Sequence, residues 1–150
     1  MSEPIIVRLE QLPTGALAEL IVASEAEGFR FVRRLLDEWE SGTNCFARPG
    51  EALFALYHDT RIIGVCGLNI DPYTTAARIG RVRRLYVLSA FRRQGLGRQL
   101  TQAVIRASLG HFDSLRLRTT SEAAAGFYES LGFHACGHLS NTTHVREISR

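Results

Sequence analysis

The chain has 150 residues, 45% hydrophobic and 22% charged, with a formal net charge of +3, the size and balance of one globular domain with room for a core. No run of about 18 apolar residues occurs, so no membrane span is expected, and the charged opening MSEPIIVRLE lacks the apolar block and cleavage site of a signal peptide. Cys45, Cys66 and Cys136 are odd in number and form no CxxC, which predicts buried or free thiols in a reducing cytoplasm and argues against a zinc or other metal site.

In chain order, Ile5–Leu9 reads as a first strand, and Gly15–Ala23 as a helix with Thr14 as its N-cap. Phe29–Glu40 places Phe29, Val32, Leu35, Leu36 and Trp39 at amphipathic helical spacing, stopped by Ser41-Gly42. Ala52–Tyr57 and Arg61–Asn69 read as an antiparallel hairpin turning at His58-Asp59-Thr60. Arg81–Leu88 is the next strand, Leu96–Leu109 a helix closed by Gly110, and Ser114–Thr119 a strand alternating leucine with arginine. Ala123–Leu131 is a helix ending at Gly132, and Phe133–Cys136 and His144–Ile148 are the final strands. A run of strands followed by alternating strand and helix predicts one α/β (α+β) domain over residues 1–150, a mixed sheet with helices on its faces.

All 18 basic residues are arginine, and Arg78, Arg81, Arg83, Arg84, Arg92, Arg93 and Arg98 crowd into 21 positions. Codon bias in a GC-rich genome explains the missing lysines, as would avoidance of acylatable side chains, and the sequence does not separate the two. Within the cluster, Arg92-Arg93-Gln94-Gly95-Leu96-Gly97 joins a strand to a helix start, where free N–H groups and flexible glycines favour a phosphate. It is no dinucleotide fingerprint, since Leu100 stands where a third glycine is required, and no P-loop, since there is no lysine. Taken alone, the six residues read equally well as an ordinary turn with solvated arginines.

Two flanking pieces add to this: Arg84-Leu85-Tyr86-Val87 before the loop, and Ala124-Ala125-Gly126-Phe127-Tyr128-Glu129-Ser130-Leu131-Gly132-Phe133 after it. In that order and spacing, RxxGxG followed by FYExLGF resembles the GNAT N-acetyltransferase superfamily. The resemblance implies a mostly antiparallel sheet of about six to seven strands with about four helices, splayed between the fourth and fifth strands. It implies acetyl-CoA as co-substrate, with its diphosphate on the amides of Arg92, Arg93, Gln94, Gly95, Leu96, Gly97 and Arg98. The pantetheine arm would lie along Tyr86, Val87 and Leu88, with an N–H near Val87 facing the thioester oxygen. Tyr128 takes the position of the family's thiolate-protonating hydroxyl; packing on the sheet is its plainer reading.

The chain also departs from the family. Arg81 and Arg83 stand where many relatives carry acidic residues, one of them the general base, and guanidinium accepts no proton. They would suit an amine acceptor that also carries an anionic group, or else are strand-end residues in solvent. His144, after Thr143, is the best remaining base candidate, although a satisfied structural histidine is the favoured reading of it. Glu122 replaces a usual asparagine, so it is expected to point away from the phosphates or cap its helix. Asn69, the Asp71-Pro72-Tyr73 loop, Phe29 and Arg30 are expected on the acceptor side. The leading expectation is a cytoplasmic acetyl-CoA-dependent N-acetyltransferase acting on a small-molecule or peptide amine, with homodimerisation left open. A non-catalytic acyl-CoA-binding module is the alternative, and nucleic-acid binding ranks below both for want of aromatic interleaving or a recognition helix.

Overall fold

A computed structural model describes residues 3–148. Of the expected 1–150 domain, Met1, Ser2, Ser149 and Arg150 therefore lie outside the described residues. The elements are β1 (Ile5–Arg8), α1 (Ala18–Ala26), α2 (Phe31–Ser41), β2 (Ala52–His58), β3 (Arg61–Ile70), β4 (Ile79–Val87), α3 (Leu96–Ser108), β5 (Ser114–Leu117), α4 (Glu122–Glu129), β6 (His134–Ala135) and β7 (His144–Glu147), with a single 3-10 turn at Ser89–Phe91. They build one seven-stranded sheet in the order β1-β2-β3-β4-β5-β7-β6. Every pairing is antiparallel except β4 with β5.

The strands and the second, third and fourth helices fall close to the positions predicted from periodicity, whereas the first helix starts later. Gly15 has φ +76°, a left-handed conformation that no α-helix interior accommodates, so α1 begins only at Ala18 and Thr14 is not its cap. Gly28, at φ +90°, likewise delays α2 to Phe31. Gly42 closes α2 in the left-handed conformation. Ser121, not Glu122, caps α4, its Oγ accepting from the Ala124 N–H at 3.2 Å, and Glu122 lies exposed in the first turn.

Strand alternation assigns the two faces. A Cβ at Gly64 would meet Leu100 of α3, and one at Gly67 would run into the Phe46 ring. α3 thus covers one face through Leu96, Leu100 and Val104, while α1, α2 and the loop carrying Phe46 cover the other. The core between them holds Leu20, Leu35, Leu53, Ile63, Val65, Leu100 and Leu115, all fully buried. β4 carries an extra residue opposite Cys66, because pairing shifts from Gly67↔Arg83 to Val65↔Tyr86. Arg84, at φ +63°, is the turned residue of that bulge.

Candidate active site

β4 and β5 are bonded only at Ile79↔Ser114, Gly80↔Leu115 and Arg81↔Arg116. Beyond Arg81 the strands separate, and the rest of β4 has no sheet partner on that side. The Leu88 N–H donates to Ile63 O at 2.9 Å on the β3 side. Alternation therefore turns the Val87 N–H and C=O into the split, and the Val87 carbonyl accepts from Arg92 Nε at 2.8 Å.

At the head of the split the chain makes its 3-10 turn and then a loop in which Arg93 (φ +64°) and Gly95 (φ +78°) are both left-handed. Gly95 caps α3 without a side chain. The amides of residues 93–98 donate to no acceptor among the described residues, so consecutive N–H groups and the α3 dipole present donors of the kind that suit an anion. The loop's arginines are placed unequally. Arg92 forks onto Glu27 at 2.8 and 2.7 Å, Arg98 donates to Ser130 Oγ at 3.1 Å, and Arg93 is exposed. Glu27 also accepts from the Tyr86 hydroxyl. Hydrogen bonds from Arg92, then Tyr86, hold the Glu27 carboxyl below its ordinary value. Burial, then Glu27, pushes the Tyr86 hydroxyl up to about 12. Glu27 thus bolts the end of α1 to the strand and to the loop, a role that no motif in the sequence signals.

Tyr128 lies on α4, packed edge-on against Phe127 and Phe133 at centroid distances of 5.1 and 5.7 Å. Its hydroxyl has no hydrogen-bond partner among the described residues, and burial first, then Cys66, raises its pKa strongly. Cys66 itself is fully buried, and that burial raises its thiol to about 12, so it stays protonated and unreactive.

The α1/α2 face of β4 is lined with arginine. Arg81 is buried, lies 4.5 Å over the Tyr73 ring, donates to Asn141 O at 2.5 Å and stands 3.6 Å from Asp71 Oδ1. Burial lowers its pKa, with Asp71 opposing. Arg116 approaches Asp71 Oδ2 at 3.9 Å from β5, and Arg84 donates to Glu38 of α2 at 3.0 Å. Arg83 is half-buried and has no partner among the described residues. Asn69 is buried and exchanges 3.0 Å hydrogen bonds with Asn44 while donating to Glu51 at 3.0 Å, so its amide is already engaged. Phe29 is 47% exposed at the α1–α2 turn and packs on Phe31, which in turn meets Tyr86.

His144 stands apart from these groups. Its Nε2 is 2.9 Å from Glu129 Oε2 and its Nδ1 3.0 Å from Thr143 Oγ1, so both ring nitrogens are occupied. Among the described residues, no group of three His, Cys, Asp or Glu could hold a metal, and no helix is long and apolar enough to cross a membrane.

Comparison with known proteins agrees with this geometry. Residues 49–135 match the family described as an acetyltransferase (GNAT) domain. A protein of Exiguobacterium sp. 255-15, provisionally assigned as an acetyltransferase, is 28% identical, with 97% of this chain and 94% of that one covered and a TM-score of 0.85. A GNAT-family acetyltransferase of Staphylococcus aureus Mu50 is 18% identical over 97% and 100% of the two chains, with a TM-score of 0.72. A chain of the NatC complex bound to Gag peptide and CoA is 18% identical over 99% and 100%, with a TM-score of 0.71. No curated protein sequence matches.

Proposed function

Because this chain belongs to the GNAT acetyltransferase family, we propose that it transfers an acetyl group from acetyl-CoA, by direct attack, to a primary amine that also carries an anionic group. The observation that carries the reading is the row of amides at residues 93–98, without acceptors among the described residues, beside a split into which Val87 turns its N–H. Those amides take the diphosphate through several charge-assisted hydrogen bonds. The edge of β4 at Tyr86 and Val87, continued by Leu88, takes the pantetheine arm as an added strand. The Val87 N–H then meets the thioester oxygen as charge develops there; a donor so placed is worth about 3–4 kcal/mol.

Tyr128 faces the departing sulfur. With its pKa raised by burial, the phenol keeps its proton, and full transfer to a thiolate is uphill. It therefore works as a hydrogen-bond donor to the leaving thiolate, while the proton that finally neutralises sulfur comes from the attacking nitrogen. Among the described residues the carboxylates of this face are already engaged: Glu27, Glu38 and Asp71 each face arginine, and Glu51 accepts from Asn69 and from the Arg48 and Ile70 N–H groups, which leaves none free to act as base. The arginines instead depress the pKa of an incoming ammonium by like-charge repulsion, so that more of it arrives neutral.

Calorimetric titration with CoA and acetyl-CoA, followed by thiol release with an amine panel, tests the reading. Binding with release supports transfer. Binding without release from any acceptor supports the non-catalytic acyl-CoA module, which the lack of a free base favours. Absence of CoA binding removes both.

A further inference from the structure

The arginines of the acceptor face are not equivalent. Arg81 and Arg116 form the last bonded pair before β4 and β5 part, and both lean on Asp71. Arg84 is swung by the bulge onto Glu38. One alternation step beyond the last pair come Arg83 on β4 and Arg118 just past β5, on the same face as Arg81 and Arg116. Neither has a hydrogen-bond or ion-pair partner among the described residues. Both lie near enough to Arg81 for their charges to act on it, and Arg34 of α2 adds to the field at Arg84. Of the five guanidiniums, Arg81 and Arg116 approach Asp71 and Arg84 pairs with Glu38, while the neighbouring carboxylate of Glu51 is taken by Asn69, which leaves none of the three on Arg83 or Arg118. Even the paired ones each keep one buried nitrogen without a hydrogen bond, Arg81 Nη1, Arg84 Nε and Arg116 Nε, as Asp71 keeps its Oδ2.

We infer that Arg83 and Arg118 are the two jaws of a clamp across the split just beyond its closed apex, and that it holds the carboxylate of an amino-acid-like acceptor. The inference rests on the acetyl-transfer reading and adds to it the chemical class of the acceptor and a residue, Arg118, that no motif marks. Carried on two strands that part after Arg81 and Arg116, two guanidiniums suit one planar anion approached from both sides. The diphosphate is already accommodated at the α3 end, beyond the far end of β4. Arg81 is excluded as the principal contact because its guanidinium is held by Asp71, Tyr73 and Asn141.

The test uses ω-amino acids from glycine to 6-aminohexanoate, each against its own amide, with CoA thiol release as the readout. Wild type is expected to favour the best acid over its amide by about 10- to 100-fold in kcat/KM, mostly through KM, the range of a charge-assisted hydrogen-bond pair. Arg83→Gln and Arg118→Gln each reduce that ratio, and the double variant brings it near one. Arg106→Gln, the same charge change on an exposed position of α3, keeps the ratio. A wild-type ratio near one, or a ratio that the double variant leaves in place, overturns the clamp, while continued thiol release from amides leaves acetyl transfer standing. If no acceptor of either series releases thiol, acetyl transfer to such amines fails. The clamp is then decided by glutarate with CoA present, which must raise the melting temperature of wild type and not of the double variant.

Discussion

Replacing Asp71 by asparagine removes one charge and almost no volume, so its effect isolates the electrostatics of the acceptor face. The Asp71 side chain is 0% exposed, Arg81 6% and Arg116 14%. The variant leaves two buried guanidiniums facing no carboxylate, and breaking a buried pair in this way costs about 3–5 kcal/mol. The closest N···O separations are 3.6 and 3.9 Å, long for ion pairs, and Arg81 keeps Asn141 O and the Tyr73 ring. The lower end, about 3 kcal/mol, is therefore expected, or a fall of about 6–12 °C in Tm for a domain of this size. The amide oxygen can still accept from the Tyr73 N–H, the 3.1 Å bond that shapes this loop, so lost loop structure would not account for the fall. Calorimetry at pH 7 measures it, and a cycle with Arg81→Met checks its origin: the double variant should recover about 1 kcal/mol or more relative to the sum of the singles. A fall below about 2 °C, or strict additivity, would refute the view that Asp71 is the counterion of this buried pair.

Three further outcomes are expected. Tyr128→Phe should lower kcat about 10- to 100-fold, the worth of one hydrogen bond to a charged leaving group, with CoA affinity by calorimetry unchanged; unchanged turnover would remove Tyr128 from the reaction. Gly67→Ala should cost about 1–3 kcal/mol in urea unfolding, because the added Cβ would sit 2.4 Å from Phe46 Cε1, and Phe46→Leu should recover part of the loss. On the alkaline side, kcat/KM should rise with unit slope up to the acceptor amine's own pKa, with no earlier break from an enzyme base. Tyr86, raised by burial and Glu27 to about 12, stays protonated in the fold while an unfolded tyrosine ionises near about 10. Its contribution to stability is thus complete below that pH and is lost as pH climbs towards 12. Tyr128, raised by burial, adds a loss of the same sign, and stability measured from pH 9 to 11 should fall.

Elements governed by local periodicity were legible from the sequence. Val32 and Leu35 in α2, and Leu96, Leu100 and Val104 in α3, announce buried helical faces. Leu115 and Leu117 announce a strand whose intervening Arg116 faces the other way. Gly15 misled because glycine is compatible with either helical or left-handed backbone, and only the packed turn selects the latter. The same ambiguity hid the bulge, since nothing in Arg83-Arg84-Leu85 says which arginine will take φ +63°. That choice sends Arg84 to Glu38 and leaves Arg83 beside the split.

The acceptor side was less legible than the loop for a reason of sequence distance. The features of the diphosphate loop, two left-handed residues and a helix start, lie within a few positions of one another and can be read as a unit. The surroundings of Arg81 come from β3's end, the Asn141 turn and β5 together, and its counterion Asp71 is fixed by register, not by motif. Glu27 joins Arg92 across 65 residues, a pairing with no sequence signature. Arg118 becomes conspicuous only when Arg81↔Arg116 is known to be the last bonded pair, because its relation to Arg83 is that of the next step on a diverging strand. Charge placed by register therefore follows a physical rule: arginines at the closed apex must be neutralised from within, since little water reaches them, while those just past it remain available to a ligand. On that rule the split sorts its own arginines, and where β4 and β5 cease to pair decides which of them the proposed clamp can use.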